Sequence, residues 1–410
     1  MIMKQELLLQ YAKLLANIGI NVEKGDEVWI TAGLDQPEFV KMVVEECYKA
    51  GARKVVVDWY YDPLTKLNYK YMTLGELGKV PPYRLAKYKY SVKKLPSMLY
   101  IVSDDPDALK GVNVAKMAKA RMKQYPKIKP YRDQMDGKYK WCIAGVPGLK
   151  WAKKIFPNLS DEDAMESLWE KILLTSRVDE NNTVENWKKH NDFLTQQRNK
   201  LHDLNLKYLY YKSSTGTDFK VELIEGINWG AGIEKTDKGK VFNPNIPTEE
   251  VFTSPRAGYC EGKLVATKPL SYQGQLIEDF YFVFKDGKVS EVHAKKNQES
   301  LEKMVKMDEG ACMLGEVALV PYSSPINQSG ILFYETLYDE NAVCHVALGA
   351  GFKECLPDGA TLTTEQAKER GINDSMIHVD FMIGSPDLSI VGEDVNGKQI
   401  QIFKDGTWAI

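Results

Sequence analysis

Histidine is scarce in this 410-residue chain, with five residues in all. The six cysteines (Cys47, Cys142, Cys260, Cys312, Cys344 and Cys355) are scattered, without a Cys-x-x-Cys pair. That excludes a cysteine-rich zinc site and leaves free thiols behaving as small apolar residues. No run approaches ~18 consecutive apolar residues, the length needed to span a bilayer. Charge is nearly balanced, 54 Lys and Arg against 56 Asp and Glu, for a net of -2. The chain therefore has no basic footprint for nucleic acid and no polybasic surface for a membrane. Neither G-x-G-x-x-G nor G-x-x-x-x-G-K-[ST] occurs, which counts against nucleotide sites of those kinds. Any metal chemistry must come from histidine, aspartate and glutamate.

What is present reads as a soluble globular protein, 44% hydrophobic and 27% charged, too long for one ordinary core. At the N-terminus Leu7, Leu8, Tyr11, Leu14, Leu15 and Ile18 recur at helical spacing, with Lys4, Glu6, Gln10 and Lys13 between them. This is an amphipathic docking helix rather than a secretory signal, and the expected location is cytoplasmic. Strand patterns follow at 27–33, 54–59, 97–104 and 139–147, alternating with helical patterns, and Gly51 is a plausible helix stop. Such alternation predicts a parallel sheet covered on both faces. Two longer helices, with Ser160 and Asn182 as N-caps, run to about residue 206. Beyond them come a hairpin at 207–224, short strands and glycine turns, interrupted by helices around 298–308 and 363–370. The expected fold is an α/β N-terminal domain with a mainly parallel sheet, residues 1–205, and a strand-rich α+β C-terminal domain, residues 206–410, carrying any metal site.

His190, His202 and His293 have polar neighbours and read as solvated residues. His345 and His378 alone sit in apolar, strand-like surroundings. In "HVD" the period of two puts His378 and Asp380 on one sheet face, where they suit a divalent ion or a simple hydrogen-bonded pair. Glu316 lies inside the apolar run "MLGEVALV", where a carboxylate is costly unless paired or bound to a cation. Glu335, Asp339 and Glu340 cluster just before His345. Glu249 and Glu250 open another apolar strand, with Glu249 read as a solvated neighbour. Glu250, Glu316, Glu340, His345, His378 and Asp380 thus make four carboxylates and two imidazoles. That is too many for one zinc, and it suits two ions ~3.5–4 Å apart.

The segments "NIPTEEVFTSP", "GEVALVP", "TLYDENAVCHVALG" and "HVDFMIG", in this order, resemble the thermophilic metalloaminopeptidase family of the aminopeptidase T, aminopeptidase S and PepS type. The resemblance implies a two-domain, dimeric enzyme with a dinuclear centre in its C-terminal domain, and the six residues above as metal-site residues. It implies two divalent ions per subunit, zinc or cobalt with manganese also compatible, and peptide substrates with a free N-terminus. Glu250 and Glu316 are the candidates for bridge or general base; His345, His378 and Asp380 are the terminal ligands. One position departs: the family motif ends in tyrosine where this chain has Phe352, which leaves Tyr322 or Tyr334 as substitute phenols. The rival readings are a dinuclear hydrolase of a non-peptide amide and a metal-free binding or scaffold protein.

Overall fold

The computed structural model of the chain describes residues 5–410; Lys4, in the expected first helix, lies outside the described residues. The chain forms two compact units, one of residues up to Lys188 together with Ile233–Ile246, the other of Lys189–Gly232 and Pro247–Ile410.

The first unit is built on an all-parallel sheet with strands in the order Asn245–Ile246, Trp141–Gly145, Ser97–Val102, Glu27–Gly33 and Lys54–Tyr60. Alternation along these strands gives the sheet two unlike faces. Val28, Ile30, Leu99, Ile101, Cys142 and Ala144 are buried on one of them. Beside it the rings of Tyr11, Phe39 and Trp169, from three helices, pack within 5.3–6.4 Å. The intervening residues Trp29, Thr31, Met98 and Tyr100 are only half-buried. On that side helices Pro82–Lys94 and Val114–Met135 border a cavity instead of closing over the strands. The local signals behave as their chemistry dictates. Helix Pro37–Lys49 stops before Gly51, whose φ of +112° suits glycine, and Ser160 accepts the Asp163 N–H at 3.1 Å.

Lys140 is almost fully buried in this unit, and its ammonium donates to Asp26 Oδ2 at 2.7 Å. Burial raises the Asp26 carboxyl, but the Lys140 hydrogen bond and the nearby charges of Lys140 and Lys240 outweigh it and hold the group below its ordinary value. A carboxylate depressed in the folded state contributes stability above its unfolded pKa and loses it as pH falls through the folded one. Asp26→Asn is therefore expected to cost about 2 kcal/mol at neutral pH. In urea titrations the difference from the parent should shrink once pH drops below the carboxylate range; a pH-independent difference would contradict this.

The second unit contains two antiparallel sheets. The larger holds the expected hairpin, Leu206–Lys212 with Asp218–Leu223, flanked by Pro255–Val265 and Gln275–Lys285 on one side and Ser389–Asp394 and Gln399–Lys404 on the other. The smaller has the order His378–Met382, His345–Gly349, Leu314–Leu319, Val251–Thr253 and Gly230–Ala231. Val317, Leu319, Val346, Leu348 and Phe381 of the small sheet join Phe219, Phe282 and Phe284 of the large one in a single core. Helices Gln298–Met304 and Thr364–Glu369 stand where their patterns predict, the second with a capping box between Thr363 and Gln366. Among the described residues no helix is long and apolar enough to cross a membrane.

Candidate metal centre

The small sheet turns one face to the core and the other to a group of polar side chains, and register decides which residues those are. Glu316 stands opposite Ala347, and Ala347 opposite Asp380, so the three form one row across three strands. In the rows beside it His345 pairs with Ala318 and Met382, and His378 pairs with Gly349. Directly paired residues share a face, and so do residues two apart along a strand. Glu316, His345, His378 and Asp380 therefore all point away from the core that Val317, Val346 and Phe381 fill.

The row is possible because its centre is small. Ala347 leaves room for two carboxylates to approach above it, and Gly349 presents no side chain beneath His378. The Glu316 strand also carries a bulge between Leu314 and Glu316. At Gly315 a Cβ would lie 2.2 Å from Ala350 O and 2.3 Å from Gly349 O, so only glycine fits. Bulges of this kind re-aim the next side chain, here Glu316.

Two clusters result. Ligand-type atoms of Glu250, Glu316 and His345 lie within 4.8 Å of one another, as do those of Glu316, His378 and Asp380. Glu316 belongs to both. His345 Nε2 is 3.3 Å from Glu250 Oε2; His378 Nε2 is 3.1 Å from Glu316 Oε2 and 3.3 Å from Asp380 Oδ1. His378 Nδ1 donates to Ala350 O at 2.7 Å, which directs Nε2 at the two carboxylates. Glu340 stands outside both clusters. It borders a narrow cleft of about 30 Å³ with Asp380, Asp339 and Tyr334, whose φ of +58° is unusual for a tyrosine.

Electrostatics make the arrangement costly without a compensating cation. Burial lifts the Glu316 carboxyl to about 7 despite the His378 hydrogen bond. Burial and the charges of Asp380, Glu250 and Glu316 drive Glu340 well above its ordinary value. Burial pulls the His345 imidazole down, yet Glu250 and the other carboxylates carry it up to about 9. For Asp380 burial is overridden by His378 and the group is held low. Asp380 Oδ1, apart from its 3.3 Å ion-pair contact with His378, and His345 Nδ1 are buried and find no hydrogen-bond partner among the described residues. A lone pair unspent on hydrogen bonds, hard carboxylate oxygens and imidazole nitrogens together fit a divalent transition-metal ion.

Two sequence expectations fail here. His190 is not solvated but buried, and its Nε2 lies 2.8 Å from Thr248 O. Glu249 is likewise buried, its backbone N–H donating to the Asn341 side chain at 2.8 Å. These contacts brace the segment that delivers Glu250, and Asn341 ties it to the turn carrying Glu340. Polar neighbours in sequence gave no hint of this, because another segment covers that helix face. His202 and His293 are exposed, as expected. Phe352 packs its ring 5.0 Å from the His378 imidazole and 5.4 Å from Phe252, walling the cluster instead of offering a phenol. Tyr334 lines the cleft; Tyr322 sits in a turn whose N–H bonds Gly406 O.

A sheet that gathers buried carboxylates, one buried imidazole and one partly exposed imidazole around a shared glutamate has the donor set of a metal-dependent hydrolase. The chain belongs to the thermophilic metalloprotease (M29) family, whose family model matches residues 4–408. It is 37% identical to aminopeptidase 2 of Geobacillus stearothermophilus over 98% of this chain and 97% of the relative. It is 38% identical to aminopeptidase PepS of Streptococcus thermophilus over 99% and 98%. Its fold, an α/β part with a parallel sheet and a strand-rich antiparallel part, matches wild-type AmpT from Thermus thermophilus with a TM-score of 0.91, at 33% identity, covering 99% of this chain and 100% of that one. The chain is thus a member of a metallopeptidase enzyme family whose curated relatives are named aminopeptidases.

Proposed function

We propose that this protein is a two-metal aminopeptidase that releases N-terminal residues from peptides. The observation that supports the reading is the membership of Glu316 in both ligand clusters, which would suit it to bridge two cations. Glu250 and His345 would complete one position, and His378 and Asp380 the other. Bound there, divalent cations would supply Lewis-acid polarisation of the scissile carbonyl and a lowered pKa for the attacking water.

The chain's own groups supply the rest. Glu250, near one position only, is suited to take the water's proton and pass it to the leaving amine. His378 is fixed by its bond to Ala350 O and by the Phe352 ring, so Nε2 is already oriented. Glu340 and Asp339 place carboxyl groups on the wall of the cleft, hydrogen-bond acceptors for the free α-amine of a peptide, which would account for an exopeptidase. Zinc or cobalt as the metal, a homodimer and a cytoplasmic location complete the proposal, resting on the family resemblance.

Treatment with a chelator is expected to abolish hydrolysis of aminoacyl-nitroanilides, and zinc, cobalt or manganese to restore it. N-acetylated substrates and non-peptide amides should be inert. A metal content near zero in gently purified protein would favour a binding role without metal. Preference for a non-peptide amide would favour the other hydrolase.

A further inference from the structure

The half-covered face of the parallel sheet in the first unit borders a cavity of about 810 Å³. That lies within the range of small-molecule sites, ~300–1,000 Å³. Its floor is made by alternate strand residues, Trp29 and Thr31 beside Met98 and Tyr100. The aromatic surfaces are braced from outside it: Trp29 stacks on Tyr90 at 5.7 Å, and Tyr88 on Tyr131 at 6.1 Å.

The charged groups on the wall differ in their protein partners. Lys87 pairs with Asp58, and Lys129 with Asp133 at 2.6 Å. Arg84, exposed, donates among the described residues to the neutral Gln124 Oε1 at 3.4 Å. Arg132 is exposed on the cavity wall and makes no side-chain hydrogen bond or ion pair among the described residues. It lies close enough to Tyr100 and Tyr139 to oppose the rise that burial imposes on both phenols, the second of which reaches about 12; Asp136, on the same wall, adds to that rise. Among the described residues the Tyr100 hydroxyl donates to the thioether of Met98 at 3.2 Å, a weak acceptor. A solvent-facing guanidinium and two half-buried, protonated phenols thus line an aromatic-floored cavity together.

We infer that this cavity binds a small aromatic carboxylate, its ring on the Trp29–Met98–Tyr88 surface and its carboxylate on Arg132, Tyr100 and Tyr139. Planar guanidinium meets carboxylate in a bidentate fork, and flat rings favour a flat ligand. The site is separate in chemistry from the carboxylate-rich centre, which would repel an anion unless metal were bound.

The test is equilibrium dialysis of 2-naphthoate against the full-length protein, as isolated and after chelator treatment, with unfolding curves run on each variant. One saturable site that survives chelation is expected. Arg132→Gln should weaken binding about tenfold, the loss of one charge-assisted hydrogen bond. The uncharged 2-naphthol should bind the parent protein more weakly by a similar factor. Met98→Trp, which fills the floor, should abolish binding while the Arg132 variant still folds. Absence of saturable binding, equal affinity in Arg132→Gln, or binding that disappears with the metal would each overturn the inference.

Discussion

Replacing Glu316 by glutamine is expected to lower kcat/KM for an aminoacyl-nitroanilide by about 10³-fold, within the span seen for the loss of a group that acts on the proton and charge of the transition state. Glutamine has nearly the same volume and an oxygen in the same place, so packing in the buried strand is preserved. What it lacks is the charge that two clusters share. On the two-metal proposal a neutral amide would not balance two divalent ions, so metal content should fall together with the rate. Because the parent carboxyl is itself raised by burial, the variant should fold at least as well as the parent in chelator. Full activity in this variant would remove Glu316 from the centre. Lost activity with undiminished metal content would remove it from the bridge and leave it a role as base.

Ala347→Leu is expected to have nearly as large an effect on activity, although alanine carries no chemistry. Ala347 is fully buried and separates Glu316 from Asp380 in the row across three strands. A leucine there projects between the two carboxylates and displaces both ligand clusters at once. Overpacking of this kind costs about 1–3 kcal/mol. The fold should survive while metal content and hydrolysis drop, by about 10²-fold or more for a misplacement near 1 Å. Metal analysis beside a thermal melt measures both. Retention of metal at the parent level would show that the carboxylates do not meet above Ala347.

The two substitutions differ in how far their grounds could be read in advance. Glu316 stood out in the sequence, because a carboxylate inside "MLGEVALV" must be compensated somewhere. Ala347 did not, since an alanine in an apolar run has no signal of its own. Its importance comes from strand register, which is set by pairing between residues some thirty positions apart along the chain. The bulge at Gly315 is of the same kind. A glycine in a strand hints at close approach, but only the packed carbonyls of Gly349 and Ala350 say what approaches. Phe352 was legible as a departure from the motif, but not as a wall for His378.

The sequence by itself determined which donors exist and on which kind of element they stand. The absence of cysteine clusters confined any metal to histidine and carboxylate, and a period of two put His378 and Asp380 on one face. The alternation of strand and helix signals likewise made the first sheet parallel. Tertiary structure alone decided that Glu316 faces both clusters, that Glu340 borders a cleft with Asp380 within reach of their charges, and that His190 and Glu249 are buried. It also left one face of the parallel sheet half-covered. The reason is physical: covalent neighbours fix local geometry and side-chain direction, whereas burial, register and the charge a carboxylate feels depend on residues brought together only by folding.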